Sequence, residues 1–330
     1  MKKILILALS MATMLSVASC QKTEMENAET NVTIEVGMPV TKAISDGTTA
    51  TKLLYEVYYK NANNELQQIL KSEKDPIEKK TTMEFTLMRG SSYVVLFWAQ
   101  ADGAPYGTEN LQAVQMNYTA NSNGNNEDRD AFCGKLEFTV SDTDTENEVL
   151  ACTLVRPFSQ LNFVSNDYTG KLTVDKQEVA TMTLTKSEIA IANLATVYNV
   201  LNGTASGSTT DMGNYPVTFT ATTGVDDDEN GVMDNFDGNT DLHWVSMNYI
   251  LVPSDKNTIN LEARFTVSLN YVGITDPVTN QPITVYQNSA VPVAPNYRTN
   301  LVGDLFTEDG EVSIEIDPKY ATPDNSVPVE

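Results

Sequence analysis

Apolar and polar residues alternate along most of this chain. Val32, Ile34 and Val36 are separated by Thr33 and Glu35, and Met83, Phe85 and Leu87 by Glu84 and Thr86. Leu261, Ala263, Phe265, Val267 and Leu269 form the longest such run, and Val312, Ile314 and Ile316 form another near the end. A period of two places one apolar row on one face, which predicts half-buried strands of antiparallel sheets. The stretch from Tyr93 to Ala99 is apolar on both faces and predicts a central strand. Turn-forming clusters separate the runs: Ser45-Asp46-Gly47, Arg89-Gly90-Ser91-Ser92, Asn202-Gly203 and Asp276-Pro277. Helical spacing is scarce. Residues 112–118 allow one short helix, and residues 186–200 follow neither period. Many short strands with frequent turns predict an all-β protein of sandwich type.

A chain of 330 residues exceeds one small core and suggests about two domains. The best division falls at Arg156-Pro157-Phe158. Before it, 136–140 and 148–154 read as a hairpin around the acidic loop 141–147. After it, Gln160 to Val164 begins a new strand. The expected units are residues 31–157 and 158–330, with no internal repeat evident between them.

The first residues carry an address. Met1-Lys2-Lys3 is positive, Ile4 to Leu9 is apolar, and Val17-Ala18-Ser19-Cys20 places small residues before a cysteine. This is the layout of a secretory signal, too short for a membrane span. With cysteine at the cut, it is similar to a bacterial lipoprotein box. That similarity implies removal of residues 1–19 and acylation of Cys20, with residues 20–30 as a polar tether. Each buried CH2 of an acyl chain contributes about 0.8 kcal/mol, so several chains hold firmly. The expected location is the outer membrane and cell surface, with lipid as the anchor.

Composition then narrows the chemistry. With 21 Lys+Arg against 44 Asp+Glu, the net charge of −23 opposes binding to nucleic acid or to anionic lipid headgroups. The single histidine, His243, argues against multi-histidine metal sites and leaves little room for a Ser/His/Asp triad. No G-x-S-x-G elbow is present. A non-enzymatic protein is expected, and no cofactor is required.

One loop has the spacing of a calcium site. Asp226, Asp228 and Asn230 fill positions 1, 3 and 5, Gly231 gives the turn, Val232 offers a carbonyl, and Asp234 and Asp237 fill positions 9 and 12. Its flanks, 216–221 and 243–252, read as strands, so it is not a helix–loop–helix hand. The alternative is a solvated acidic hairpin loop. In the 136–154 hairpin, residue i faces 288 minus i, so Cys133 meets Val155 and misses Cys152 by three positions. Two buried free thiols are therefore expected.

Two segments bring a family into view. Val293-Ala294-Pro295-Asn296-Tyr297-Arg298-Thr299-Asn300-Leu301-Val302-Gly303-Asp304-Leu305 resembles the C-terminal Asn-Tyr-Arg-Thr-Asn segment of the fimbrillin-like (type V pilus subunit, Mfa-like) surface lipoproteins of Bacteroidales. Arg156-Pro157-Phe158-Ser159-Gln160-Leu161-Asn162-Phe163 is similar to the segment at that family's domain junction. Val40-Thr41-Lys42-Ala43 occupies the place of its early Thr-Arg-Ala. The resemblance implies two tandem transthyretin-like antiparallel β-sandwich domains and a role as a pilus or adhesion subunit. It also implies proteolytic removal of the first strand and its replacement by a strand from another fimbrial subunit. The family's cut follows Arg, and this chain has Lys42 there. Two alternatives stay open: an uncut anchor or accessory subunit, and a monomeric lipoprotein binding a glycan or protein ligand through aromatic residues near Tyr106, Tyr118 or Phe236.

Overall fold

The computed structural model describes residues 29–38, 47–118, 127–143, 148–208, 217–221, 224–225, 233–254, 257–275, 278–306 and 312–317. The strands, in chain order, are β1 Glu29–Gly37, β2 Lys52–Lys60, β3 Leu66–Lys74, β4 Lys80–Met88, β5 Ser92–Gln100, β6 Tyr106–Gly107 and β7 Val114–Met116. Next come β8 Ala131–Thr139, β9 Glu148–Thr153, β10 Ser159–Ser165, β11 Lys171–Val174, β12 Gln177–Ala192, β13 Val197–Asn199 and β14 Thr204–Ser206. The last are β15 Val217–Ala221, β16 His243–Ile250, β17 Thr258–Tyr271, β18 Val278–Pro292, β19 Arg298–Gly303 and β20 Val312–Asp317. The helical content of the described residues is two single 3-10 turns, Glu127–Arg129 and Phe236–Gly238. The protein is all-β.

In the first half, the sheets β4-β1-β9 and β3-β2-β5-β8 stack face to face. Their inward rows share one core: Val32, Ile34 and Val36 of β1, Met83, Phe85 and Leu87 of β4, and Tyr93, Val95 and Phe97 of β5. In the second half, β16-β10-β19-β20 faces β11-β12-β17-β18, with β15 also pairing β12. A small sheet, β14-β13-β7-β6, takes strands from both halves.

β5 is central, flanked by β2 and β8, and its two-faced apolarity has a reason. Its odd residues enter the first core, while Val94, Leu96 and Trp98 join a second core that continues through Phe158 into the second half.

Several local expectations are corrected. Residues 112–118 hold the short strand β7, not a helix, because Val114 and Met116 are buried on one side against β13. The ambiguous 186–200 region is divided between the end of β12 and the short strand β13. A bulge between Leu184 and Lys186 moves the buried row from Ala180, Met182 and Leu184 to Ser187, Ile189 and Ile191. One extra residue thus reverses the alternation and hides the strand period. The expected hairpin of 136–154 does not form within one sheet, since β8 and β9 lie in opposite sheets. They touch at one bridge, Cys133 to Val155, which is the anticipated register. The absence of a side chain at Gly134 permits that approach: a Cβ there would lie 2.7 Å from Leu154 Cδ2 and 2.9 Å from Cys152 Sγ. Finally, two pairings are parallel rather than antiparallel, β1 with β9 and β10 with β19.

Candidate functional site

The first strand occupies a slot. β1 runs antiparallel to β4 on one side and parallel to β9 on the other, without a register break. Val32 and Ile34 are fully buried and Val36 nearly so. Their cross-strand neighbours include Phe85, Met83, Leu150 and Cys152. The outward side is polar and lightly tied: Glu35 pairs with Lys80 at 3.0 Å, and Thr86 donates to Asn31 Oδ1 at 3.2 Å. Burial of three aliphatic side chains contributes about 1.5–3 kcal/mol each. That sum rivals the whole stability of a typical domain. Without β1, two backbone ladders and an apolar trough would open together.

A second region holds the halves together, and it uses the two segments singled out in the sequence. They become adjacent parallel strands, with Gln160 beside Arg298 and Asn162 beside Asn300. Asn162 Nδ2 donates to Asn300 Oδ1 at 2.9 Å and to Gln160 Oε1 at 3.3 Å. Gln160 Nε2 donates to the Tyr249 hydroxyl at 3.3 Å, and that hydroxyl donates to Glu127 Oε1 of the first half at 3.0 Å. The chain of amides thus runs from the centre of the second sandwich to the 3-10 turn of the first. Farther along, the Asp167 carboxylate accepts from the N–H groups of Leu305 and Phe306 at 2.9 and 2.8 Å, closing the turn after β19.

Arg156, the first residue of the Arg-Pro-Phe segment, is fully buried and bidentate to Asp130. Its Nε lies 2.8 Å from Oδ1 and its Nη2 lies 2.8 Å from Oδ2. Its guanidinium also sits 4.5 Å from the Phe132 ring centroid. Phe158 then stacks on Tyr106 at 5.6 Å and meets Trp98 edge-on at 6.3 Å. Beside them lies a small cavity of about 10 Å3, room for about one water molecule, walled by Tyr106, Tyr118, Phe158, Tyr249 and Arg129.

The aromatic residues expected to offer an exposed ligand platform do not do so. Tyr118 is buried, donates to Ala195 O at 2.8 Å and accepts from Leu251 N at 3.1 Å. Phe236 is buried edge-on against Trp244 at 5.0 Å. Tyr106 donates its hydroxyl to the Arg129 carbonyl. Burial holds the Tyr106 and Tyr118 phenols well above their ordinary range.

Cys133 and Cys152 are both free and buried. Burial pushes the Cys133 thiol up to about 12 and the Cys152 thiol up to about 11. Neither is a thiolate at neutral pH, so neither acts as a nucleophile there. His243 lies on β16 with its ring 5.6 Å from Tyr168, and burial lowers its pKa.

Cys20 and Lys42 lie outside the described residues, as do Asp226, Asp228, Asn230 and Val232. Asp234 is described and half-buried. Its N–H donates to Val225 O at 2.7 Å, and its carbonyl accepts from Trp244 N at 3.0 Å. Asp237 stands in the 3-10 turn. The flanks are strands, β15 and β16, as expected. No group of acidic, cysteine or histidine side chains suited to a metal occurs among the described residues, and no helix of those residues is long and apolar enough to cross a membrane.

The Asn-Tyr-Arg-Thr-Asn and Arg-Pro-Phe segments had no role apparent from sequence beyond their resemblance. In the fold they are the paired central strands and the turn that follows them. The signal that could have found this is the concentration of Asn, Gln and Arg in otherwise apolar strands. Such residues are costly to bury without partners.

The protein belongs to a family described as a family of unknown function (DUF6562), whose profile matches residues 22–330. Its structure is similar to that of a fimbrial assembly protein from Parabacteroides distasonis. The two share 14% identity at a TM-score of 0.42, over 88% of this chain and 99% of that one. It is also similar to the tip fimbrial protein Mfa3 from Porphyromonas gingivalis with C-terminal truncation. Here identity is 13% at a TM-score of 0.41, over 87% of this chain and 99% of that one. No curated protein matches the chain.

Proposed function

We propose that this protein is a non-enzymatic fimbrial structural or adhesion subunit, exported as a lipoprotein through Cys20 and divided into two sandwiches near Pro157. Assembly with other fimbrial subunits proceeds by loss of β1 and its replacement by a donor strand at the cell surface. The observation that carries this reading is the position of β1. It is the central strand of a three-stranded sheet, and its apolar row is buried. By sequence, the link from β1 to Gly47 contains Lys42. A cut after Lys42 would leave an acceptor trough that demands a strand, because unpaired ladders and exposed apolar residues are both costly. The 226–237 loop is proposed as an accessory Ca2+ site.

The test is a chain beginning at Ala43, compared with the uncut chain by native mass measurement. The shortened chain is expected to form a ladder of multimers, and a peptide copying residues 29–38 to suppress them. A shortened chain that remains a folded monomer, or multimers indifferent to the peptide, would overturn strand replacement.

A further inference from the structure

We propose that β1 is a load-bearing clamp: force between the lipid-anchored start of the chain and its second half drives β1 lengthwise along its slot instead of peeling it away. The placement of the two loaded ends carries this. β1 begins with Glu29 beside Met88 and ends with Gly37 between Lys80 and Thr153. Cys20 precedes the Glu29 end, and the link to the second half, 154–158, leaves from the Thr153 end. The other ties to the second half gather at that same end. There Cys133 of β8 bridges Val155, and just before β8 stand Glu127, which accepts from Tyr249, and Asp130, which holds Arg156. The anchor therefore pulls on one end of β1, and the second half pulls on the opposite end of its neighbours.

Load in this direction acts along the strand, so β1 yields by sliding. A slide of one residue turns its apolar row to the polar side, and the next register lies two residues on, about 6.8 Å away. The antiparallel bonds to β4 and the parallel bonds to β9 must then break together, while Val32, Ile34 and Val36 leave the core. Peeling from one end breaks the same contacts one after another. Forced unfolding is governed by the unfolding barrier, and simultaneous breakage sets the higher barrier. Both ladders of β1 are unbroken, whereas β2–β3, β10–β16, β12–β17 and β17–β18 each carry a register shift. The grip also continues past the strand: Met38 N donates to Lys79 O, and Leu154 N donates to Gly37 O, both at 2.8 Å.

Cys20 and Lys42 lie on opposite sides of β1 in the sequence. A cut after Lys42 therefore leaves residues 43–330 joined to the lipid by β1 alone, with no covalent link. The occupied slot becomes the tether. Processing and release are then separate events: the cut permits departure, and extraction of β1 completes it. The anchor and the cut are taken from the lipoprotein reading above, whereas the response to force is a property of the folded chain.

Single-molecule pulling on the non-acylated chain 20–330 tests this. One handle joins Cys20, and the other joins a cysteine introduced by Ile274→Cys or by Asn63→Cys. Cys133 and Cys152 are buried and stay unmodified. Ile274 is exposed just after β17, at the end of the second half away from the junction, so load from it runs along β1. Asn63 is exposed in the β2–β3 turn, at the Glu29 end of the first half, so load from it peels β1. The first rupture force from Ile274→Cys is expected to be at least about twice that from Asn63→Cys. A chain cut after Lys42 through an inserted protease site should keep residues 20–42 bound. Pulled through Ile274→Cys, it should break at the same first force and lose its tether at that event. Equal forces in the two geometries would overturn the clamp, as would a cut chain that sheds residues 20–42 without load. So would a first event in the cut chain that leaves the tether intact, since another element would then yield before β1. The mass of exported Cys20 tests the anchor separately: an unacylated Cys20 would overturn the lipoprotein reading and leave the clamp standing.

Discussion

The two halves solve the same problem with different chemistry. In each, the first strand lies between an antiparallel and a parallel neighbour: β1 between β4 and β9, and β10 between β16 and β19. In the first half the central strand keeps strict alternation, buried on one face and polar on the other. In the second, every residue of β10 is buried, including Gln160 and Asn162. β1 is therefore held by apolar packing and a backbone ladder, which any strand of similar pattern could supply. β10 is held in addition by an amide network that only its own side chains complete. Under the strand replacement proposed above, that difference is what would separate an exchangeable β1 from a permanent β10. Buried polar groups must find specific partners, whereas apolar burial accepts any strand of the right period.

The largest effect is expected where the chain passes from one half to the other. Arg156→Ala removes the bidentate partner of the fully buried Asp130 carboxylate and should cost about 3–5 kcal/mol in urea unfolding. Replacing both partners together, as Asp130→Leu with Arg156→Met, should recover a large part of that loss. If the single and double variants unfold alike, the pair is not the tie that its geometry implies.

Cavity variants sharpen the comparison between the central strands. Ile34→Ala and Leu161→Ala each empty a fully buried site and should each cost about 2–5 kcal/mol. Added peptide 29–38 should not rescue Leu161→Ala. In a chain cut after Lys42, it should compete only when its own Ile34 is retained. Equal competition by the alanine peptide would show that the trough does not read side chains.

A smaller change is expected from Tyr249→Phe, which removes the hydroxyl between Gln160 and Glu127. One such bond contributes about 0.5–1.5 kcal/mol. Its loss should loosen the junction, read as faster amide exchange in residues 127–130 with little change in either core.

Thiol titration gives the smallest signal. The folded pKa values of Cys133 and Cys152 stand above the ordinary value of 9.0, at about 12 and about 11. Between pH 9 and those values, the unfolded chain releases protons that the folded chain retains. Stability conferred by the buried thiols is therefore complete below about pH 9 and declines as pH rises toward 12. A thiol reagent at pH 8 should label neither cysteine in the folded chain and both in denaturant.

Much of the strand content was legible in the residues. Alternation identifies β1, β4, β17 and β20, and apolarity on both faces identifies β5, because burial of one or two faces leaves its mark on every second residue. The single Cys133–Val155 bridge coincides with the 288 register, although the hairpin from which that register was read does not form. β12 escaped because its bulge reverses the period, and β7 because three residues are too few to display one. Of the candidate site, the buried row of β1 could be read as a strand. Its central place between β4 and β9 could not, because pairing joins residues 43 to 59 positions apart on one side and 116 on the other.

Local pattern determined the class of this protein: an all-β chain with its apolar rows already assigned. That is so because side-chain direction in a strand depends only on neighbouring residues. Tertiary structure alone decided which strand is central, which edge is open, and why Arg156, Gln160, Asn162 and Asn300 are present. Those facts depend on backbone pairing and desolvation between distant segments, which no local period encodes.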